Sequence, residues 1–446
     1  MVKTERDCAV KQVLGSAWPL LLGILLLMVG NGMQGSLMGI RGAIESFSTT
    51  QLSIVSSGYF IGILIGSRIS PEMIRRVGHV RVFAALGSFI SAAMILFPAV
   101  TEVWVWFMLR VILGLSFSGV YVVAESWLNN AADNKHRGQA LSLYMIAQMM
   151  GIVAGQAILN LADPAGFILF VIPSVLVSIA FAPILLSASP TPAFTTTKGM
   201  TLRELFVVSP TGIVGMCCVG MAFGALFGMG AIWGAQAGLS VAEISLFISA
   251  IFLGGMVLQL PIGWLSDRMD RRILILLCAL AGAAAGLLGW IGGSSFTVIL
   301  IAGFILGGTS NPLYSLLIAY TNDYLESDDM AAASGGLIFA TGIGSICGPM
   351  LTGWTLGTLG PSGYWLYLAL VMAALAAYVL YRMTQRQSIY AEEDDYDAVS
   401  YAMVSPTASA VAVELAQEVF AENAEADDEY VNVSENDTKR ENEPLD

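Results

Sequence analysis

The sequence predicts an all-α integral membrane protein whose twelve transmembrane helices form two six-helix bundles. Three observations support this prediction: the composition, the spacing of apolar segments and an internal repeat. Of the 446 residues, 56% are hydrophobic and only 12% are charged. Because a soluble domain normally carries about 25% charged residues, this composition excludes a soluble globular protein, a disordered chain and a coiled coil.

The apolar segments have the length that a membrane requires. A helix needs about 20 apolar residues to cross the hydrocarbon core of a bilayer. The first segment is interpreted as a retained helix, since it is long and lacks a clear cleavage site of small residues. The twelve predicted spans are 16–40, 52–70, 81–100, 104–125, 138–160, 166–187, 210–235, 243–265, 273–292, 297–320, 331–353 and 363–382.

The positions of lysine and arginine predict the orientation. Positive residues accumulate in the cytoplasmic connections of membrane proteins. With the N-terminus inside, Arg41 is the only one of the 20 basic residues that falls outside, and Arg110 is the only one that falls deep within a predicted span. Both termini are therefore predicted to be cytoplasmic, with the chain in the cell membrane, most simply the bacterial inner membrane.

The charges divide the chain into a nearly neutral body and an acidic tail. From residue 387 onward there are 17 acidic and two basic residues, against 16 and 18 in the body. Neither part has the basic face that binding to nucleic acid requires. The predicted organisation is an N-terminal bundle (1–187), a central cytoplasmic loop (188–209), a C-terminal bundle (210–382) and an acidic, disordered cytoplasmic tail (383–446).

An internal repeat relates the two predicted bundles at an offset of 193 residues. Ile112-Leu113-Gly114 matches Ile305-Leu306-Gly307, and Tyr121 matches Tyr314. The same offset relates two glycines of span five to two of span eleven. Repeated halves with a site between them are typical of secondary transporters.

A charged turn follows predicted span eight. Residues 263–272 have the sequence Gly-Trp-Leu-Ser-Asp-Arg-Met-Asp-Arg-Arg. This turn resembles the loop motif of the major facilitator superfamily, G-x-L-x-D-R-x-G-R-R. Asp267 can pair with arginines on the cytoplasmic face, which predicts a latch for one packing state; the alternative is a solvated loop. The predicted cytoplasmic gate comprises Arg75, Arg76, Asp267, Arg268, Arg271 and Arg272.

The equivalent turn of the first half departs from the motif. Pro71 stands where glycine is expected and Arg75 where the acid is expected. A latch there needs another carboxylate: Glu72 is near in sequence, and Glu125 at the cytoplasmic end of span four is preferred. Glu125 also has two other interpretations, as a proton site or as a solvated boundary residue.

Arg110 lies about six residues inside predicted span four. Its counterpart in the repeat is Gly303, so no packing requirement shared by both halves explains it. An arginine at membrane depth costs at least about 2.5–3.5 kcal/mol on insertion scales, and it needs an acceptor. Glu125 is too far along the helix, since 15 residues span about 22 Å. The resemblance implies a role in proton coupling; anion contact and structural bonding to carbonyls remain open.

Candidates for the lining of a central cavity follow from the resemblance, which implies that spans one, four, seven and ten surround it. Phe223 and Phe227 either form its apolar side or simply pack. For each polar candidate the alternative is an ordinary interhelical hydrogen bond. These candidates are Asn31, Gln34, Ser118, Tyr121, Trp233, Gln236, Asn311 and Tyr314.

Span five departs from the antiporter branches of the superfamily. Gln156 follows Gly155 where those branches have proline, whereas the Gly-Pro pair occurs in span eleven as Gly348-Pro349. The residues 124–129 and 321–325 instead look like those of the YcaD-like bacterial branch. The antiporter motif is thus not satisfied in its usual helix.

These observations predict a secondary active transporter that moves a small solute by alternating access. The driving force is a proton gradient, with Arg110 as the first and Glu125 as the second coupling candidate, or the solute's own gradient. No phosphate-binding loop, metal-ligand cluster or nucleophile context is visible, so neither an enzyme nor a cofactor is expected. The expected partners are the lipid bilayer and a small, neutral, amphipathic or singly anionic solute. The alternative is a non-transporting membrane scaffold or assembly factor whose acidic tail docks a protein partner.

Overall fold

The computed structural model describes residues 2–131, 137–185, 200–292, 294–325, 327–385, 409 and 411–413. Helices and short turns make up this part of the chain, and no strand occurs in it. The helices are α1 (Val2–Ile44), α2 (Thr49–Val77), α3 (His79–Ala99), α4 (Val103–Ala131), α5 (Arg137–Ile158), α6 (Ile168–Leu185), α7 (Leu202–Val208), α8 (Pro210–Phe223), a π-helical segment (Gly224–Met229), α9 (Gly230–Gln236), α10 (Val241–Ser266), α11 (Arg271–Gly292), α12 (Phe296–Asn322), α13 (Ser327–Leu359) and α14 (Ser362–Gln385).

Eleven helices of the described chain are long and apolar enough to cross a membrane. One of them is the continuous helical span Pro210–Gln236, which consists of α8, the π-helical segment and α9. The sixth predicted span is a shorter apolar helix, Ile168–Ala182. Large apolar side chains such as Trp104 and Leu260 are exposed on the outside of the helices, as lipid contact requires. The all-helical membrane architecture is therefore confirmed.

Two segments differ from the sequence prediction. The predicted central loop contains α7, because Thr201 and Glu204 form a capping box that satisfies the first amides of a helix. Ser409 and the helical turn 411–413, within the predicted disordered tail, are packed against the body, and Val413 is fully buried. The rest of the tail beyond Gln385 lies outside the described residues.

The repeat in the sequence is visible in the helix starts. Ser48 caps α2 by accepting a hydrogen bond from the Gln51 amide, and the Gln51 side chain accepts from the Ser48 amide. Ser240 and Glu243 make the same reciprocal pair at the start of α10. The two capping boxes lie 192 residues apart and begin the second helix of each half.

Helix packing follows the same repeat. In the first half α1 packs along α5, α2 along α4 and α3 along α6. In the second half α8 packs along α13, α10 along α12 and α11 along α14. A Cβ on Gly114 would lie 1.9 Å from the Tyr59 carbonyl oxygen, and one on Gly307 would lie 2.0 Å from that of Ile251. Only glycine permits these backbone contacts, which is how small residues let membrane helices approach closely.

The two halves touch where α1 ends and α2 begins, which we call the α1–α2 end. Ser56 and Ser57 of α2 donate hydrogen bonds of 2.8 and 2.9 Å to the carbonyls of Gly228 and Ile346. Gly39 of α1 lies against the backbone of α9. The opposite end, where α2 meets α3, is called the α2–α3 end. There, residues of both halves and Ser409 line a shared cavity.

Candidate substrate cavity

A cavity lies between the halves near the middle of the helices. One wall is polar and comes from α1, α4 and α5, together with Tyr59 of α2 and Asn311 of α12. The other wall is aromatic and comes from Phe60 of α2, α8, the π-helical segment and α10. Polar groups converging on an apolar pocket are typical of small-molecule sites. Its principal lining residues are Asn31, Gln34, Tyr59, Phe60, Arg110, Gln148, Gln156, Phe223, Phe227, Phe252 and Asn311.

The polar wall is a connected hydrogen-bond network. The Asn31 side-chain amide donates to the Tyr121 hydroxyl at 2.9 Å. The Asn31 side-chain oxygen accepts from the Gln34 amide and the Tyr59 hydroxyl, both at 3.1 Å. The Arg110 guanidinium donates to the Gln34 side-chain oxygen. These hydrogen bonds fix the orientation of each group. The Gln34 side-chain oxygen can accept from Arg110 only when the Gln34 side-chain nitrogen faces Asn31.

Arg110 carries the charge in this network. Its side chain is 3% exposed, and its guanidinium carbon lies 4.6 Å from the centre of the Tyr59 ring. Its Nε has no hydrogen-bond partner, and no carboxylate within the described residues forms an ion pair with it. A buried cation is normally paired, because losing its hydration is costly. Arg110 is therefore a cation with unused donor capacity at the edge of a cavity.

Helix α5 supplies cavity residues that the sequence analysis did not predict. The Gln156 amide donates to the Gly32 carbonyl at 2.7 Å and its oxygen accepts from Ser36 at 2.9 Å. Gln148, two turns earlier, lines the same cavity, and its side-chain amide nitrogen is buried without a partner. Their spacing of eight residues places both on one face of α5. The signal available in the sequence was the presence of two side-chain amides on one face of an otherwise apolar membrane helix.

The opposite wall is aromatic and lies at the π-helical segment. The ring centroids of Phe223 and Phe227 are 4.3 Å apart, and those of Phe227 and Phe252 are 4.5 Å apart. Phe60 meets Phe223 edge to face at 6.1 Å. Phe223 and Phe227 thus line the apolar side, one of the two predicted alternatives. Short π-helical segments occur frequently at functional sites, because they re-aim side chains within a helix.

The structure distributes the eight predicted cavity residues among three places. Asn31, Gln34, Tyr121 and Asn311 belong to the polar network or line the central cavity, and the Asn311 amide nitrogen has no partner. Ser118 and Tyr314 line the second cavity, toward the α2–α3 end. Trp233 donates from its ring nitrogen to the Pro361 carbonyl at 2.9 Å and stacks on Tyr364, and Gln236 is exposed at the end of α9.

The predicted gate residues form several separate clusters at the α2–α3 end. Arg75 and Arg76 are exposed and pair with Glu72, not with the preferred Glu125. A short local pair wins because Glu72 is one helical turn away on the same face. Glu125 instead is fully buried and accepts from the Tyr144 hydroxyl at 2.9 Å and from Ser409.

In the second half the acid that pairs with Arg271 is Asp323. The Arg271 guanidinium forms a buried ion pair with Asp323, at the start of the turn after α12, and its Nε donates to Ser266 at 3.2 Å. Arg272 pairs with Asp270 at 2.9 Å. Burial raises the pKa of the Asp323 carboxyl, and Arg271 counteracts this shift. The pair joins the start of α11 to the turn after α12, within one half.

Asp267 and Arg268 lie beside this pair without being part of it. Arg268 is exposed and lies over the Trp264 ring, with 4.2 Å between the guanidinium carbon and the ring centre. The Asp267 Oδ1 is buried without a hydrogen-bond partner. Desolvation raises the pKa of Asp267 from 3.8 to about 6, against the opposing charges of Arg271 and Arg268. In this conformation the predicted latch acid is unpaired.

Replacing Asp267 with asparagine is expected to raise the melting temperature of the purified protein by a few degrees at pH 7.5. The raised pKa means that the folded chain binds a proton more tightly than the unfolded chain, so ionisation of Asp267 lowers the free energy of unfolding as pH rises from 3.8 to about 6. The gain should shrink as the pH falls toward 4. Melting curves at pH 4.5, 6 and 7.5 measure this gain, with Asp329→Asn as a control because Asp329 is an exposed residue of α13. A gain that is independent of pH would contradict the assignment.

The fold and the cavity together define a multi-pass helical membrane protein with two similarly packed halves and a polar site between them. The family model of the Major Facilitator Superfamily matches residues 20–241 and 212–395. The chain belongs to this family. It is accordingly a membrane transporter and not an enzyme, as the sequence analysis predicted.

Curated relatives agree with this assignment. An uncharacterised MFS-type transporter of Enterobacter sp. strain 638 is 27% identical over 379 residues, covering 83% of this chain and 95% of the relative. The uncharacterised MFS-type transporter YcaD of Escherichia coli O7:K1 is 28% identical over 342 residues, 75% of this chain and 87% of YcaD. The predicted resemblance to the YcaD-like branch is confirmed, and bacterial relatives are consistent with an inner-membrane location.

Solved structures show the same fold. The nucleoside transporter NupG superimposes with a TM-score of 0.68, covering 85% of this chain and 100% of NupG at 14% identity. A bacterial homologue of the human lysosomal transporter Spinster, in an inward-facing and unoccupied conformation, superimposes with a TM-score of 0.62, covering 93% of this chain and 98% of the homologue at 15% identity.

Proposed function

We propose that this protein is a proton-coupled secondary transporter of a small amphipathic solute that carries one anionic or strongly accepting group. The observation that carries the proposal is Arg110: a buried cation with an unpartnered Nε beside a cavity. A solute oxygen placed there would receive a charge-assisted hydrogen bond, which is about twice as strong as a neutral one. The solute would thereby supply the anionic partner that the protein does not provide.

The two walls of the cavity define the rest of the solute. Gln148 and Asn311 each present a buried amide nitrogen without a partner, so further acceptor groups of the solute would be recognised there. Phe223, Phe227 and Phe252 offer an apolar surface for an aromatic or branched body. A second full negative charge would find no second cation among the described lining residues. These features favour a monoanion over a dianion or a cation.

We propose that transport occurs by alternating access between two six-helix bundles, residues 1–187 and 210–382, with twelve spans and both termini cytoplasmic. On this orientation the α1–α2 end faces outward and is closed by the contacts of Ser56 and Ser57. The α2–α3 end carries the charged turns and faces the cytoplasm. Rocking of two repeated bundles around a central site is the general mechanism of such folds.

Arg110 is our first candidate for proton coupling, and Glu125 the second. Solute and protons can be linked only if binding of one changes the affinity for the other. A protonated carboxylic acid would leave Arg110 without an anion, whereas the ionised form would neutralise it. Coupling would then follow from the charge state in which the solute meets Arg110.

A thermal-shift screen of the purified protein tests the proposal. The library contains aromatic and branched monocarboxylates, their amides, dicarboxylates, nucleosides and organic cations at pH 7. We expect stabilisation by monocarboxylates that is lost in the amides and in Arg110→Gln. The matched control is Arg41→Gln, because the Arg41 guanidinium already pairs with Glu45 away from the cavity. Stabilisation by cations alone, or stabilisation that survives Arg110→Gln, would overturn the proposal.

A further inference from the structure

We propose that the α2–α3 end carries a peptide-binding site, and that its occupant is Ser409 with residues 411–413, a piece of the chain's own acidic tail. We call these residues the tail segment. Bound there, the tail segment acts as a wedge that keeps the two halves apart at this end. The binding of the tail segment and its separation of the two halves do not depend on which solute is transported. Only the effect of this binding on transport rests on the proposed function.

Glu125 anchors the tail segment. The Ser409 amide donates to the Glu125 carboxylate at 3.2 Å, and the Ser409 hydroxyl donates to the same oxygen. The Tyr144 hydroxyl donates to the other oxygen at 2.9 Å. A fully buried carboxylate is costly unless hydrogen bonds satisfy it. Two of these three donors come from the tail, so Glu125 is a receptor for this peptide.

Three of the four residues of the tail segment are buried as deeply as the core, and Val411 is half-buried. Ser409 is 4% exposed, Ala412 is 1% exposed and Val413 is not exposed at all. The Ser409 side chain also accepts from the Val411 amide at 3.2 Å, which shapes the turn. Burial of two apolar side chains, with the Ser409 hydroxyl hydrogen-bonded, favours a docked segment over a solvated one.

The composition of the tail selects the same segment. Residues 398–413 contain no charged side chain, although acidic residues cluster at positions 392–397 and recur from Glu414 onward. It is the longest uncharged stretch of the tail, and it can enter an apolar cleft without burying charge. The 23 residues between Gln385 and Ser409 can extend up to ~75 Å, so the tail is long enough to reach the cleft from the end of α14.

The bound segment lies between the two halves. Ser409 lines a cavity with Leu64 and Ser118 of the first half and Tyr314 and Ser345 of the second. Phe60 and Phe223 line both this cavity and the central one, so the two adjoin. The segment therefore occupies the route from the central cavity to the α2–α3 end. The halves cannot close onto each other there until it leaves.

Protection of a nearby cysteine tests the docking. Ser67, a half-buried residue lining the same cavity, is replaced by cysteine in a chain whose five native cysteines are replaced by alanine. Maleimide labelling is compared in the full chain, in a chain ending at residue 404 and in Val413→Asp. We expect labelling at least about tenfold faster in both variants, because the thiol at position 67 becomes accessible to maleimide only when the tail segment leaves. Val431→Asp, which adds the same charge elsewhere in the tail, should stay at the slow rate.

Equal labelling of the full and shortened chains would overturn the docking. Fast labelling in Val431→Asp as well would overturn its assignment to the tail segment. Melting curves of every variant confirm that the body stays folded. None of these measurements requires transport of a solute, so they remain valid if the solute screen finds no ligand.

The wedge is tested by spin labels at Val80 and Ile273, exposed residues at equivalent positions of the repeat near the α2–α3 end. We expect the distance distribution between them to shift to shorter values when the chain ends at residue 404, because the emptied cleft can close. A distribution identical to that of the full chain would overturn the wedge, even if the labelling shows docking.

Discussion

Arg110→Gln is expected to lower solute uptake by about 10- to 100-fold, because a hydrogen bond to a charged group contributes about 1.5–3 kcal/mol and each 1.4 kcal/mol is a factor of ten. Uptake is measured in proteoliposomes with an imposed pH gradient, using the ligand that stabilises the protein most in the screen. The variant should also lose the dependence of uptake on that gradient. Arg110→Lys should keep part of the uptake, since it retains the charge but not the planar fork of donors.

Folding should survive this substitution. A guanidinium at membrane depth costs at least about 2.5–3.5 kcal/mol on insertion scales, and the neutral amide removes this cost. We therefore expect the melting temperature of Arg110→Gln to equal or exceed that of the parent. Arg41→Gln provides the matched control, with uptake unchanged. Normal uptake and a normal pH response in Arg110→Gln would contradict the role assigned to Arg110.

Gly114→Leu and Gly307→Leu are each expected to abolish folding. Their Cβ atoms would lie 1.9 and 2.0 Å from backbone carbonyl oxygens of α2 and α10. A helix backbone cannot relieve such a clash by changing rotamer, as a side chain can. Overpacking alone costs about 1–3 kcal/mol, and here two helices must separate as well. We expect aggregated protein on size-exclusion chromatography in detergent and no cooperative melting.

The control for this pair is Gly357→Leu. Gly357 is exposed on α13, and a Cβ atom placed on it would have no neighbouring heavy atom within 4 Å. This variant should therefore elute and melt like the parent. Because the two critical glycines are equivalent in the repeat, their effects should match; a large difference would show that the α2–α4 and α10–α12 contacts are not equivalent in energy.

Parts of the candidate site were accessible from the sequence and parts were not. Arg110, Asn31 and Gln34 stood out because a polar group in an apolar helix is costly, so its presence signals a function. Their connection to Tyr59 through Asn31 was not predictable, since it depends on how closely α1, α2 and α4 approach. Trp233 was predicted by its position in span seven, but its helix turns the ring toward Pro361.

The acidic partners at the α2–α3 end show the same limit. Arg271 and the acidic turn after α12 were both visible in the sequence, but their pairing across 52 residues was not. Charge pairing depends on distances of a few ångströms, and sequence separation gives no such distance. The contact between Glu125 and Ser409 spans 284 residues and is a further case.

By itself, the sequence determined the membrane class, the helical architecture and the repeat, because hydrophobic length and glycine spacing act locally along each helix. The tertiary structure alone decided which polar groups face one cavity, which acid pairs with Arg271, and that an uncharged piece of the tail enters the cleft beside Glu125. The reason is physical. Burial and hydrogen bonding are properties of neighbours in space, and the neighbours here come from helices far apart in the chain.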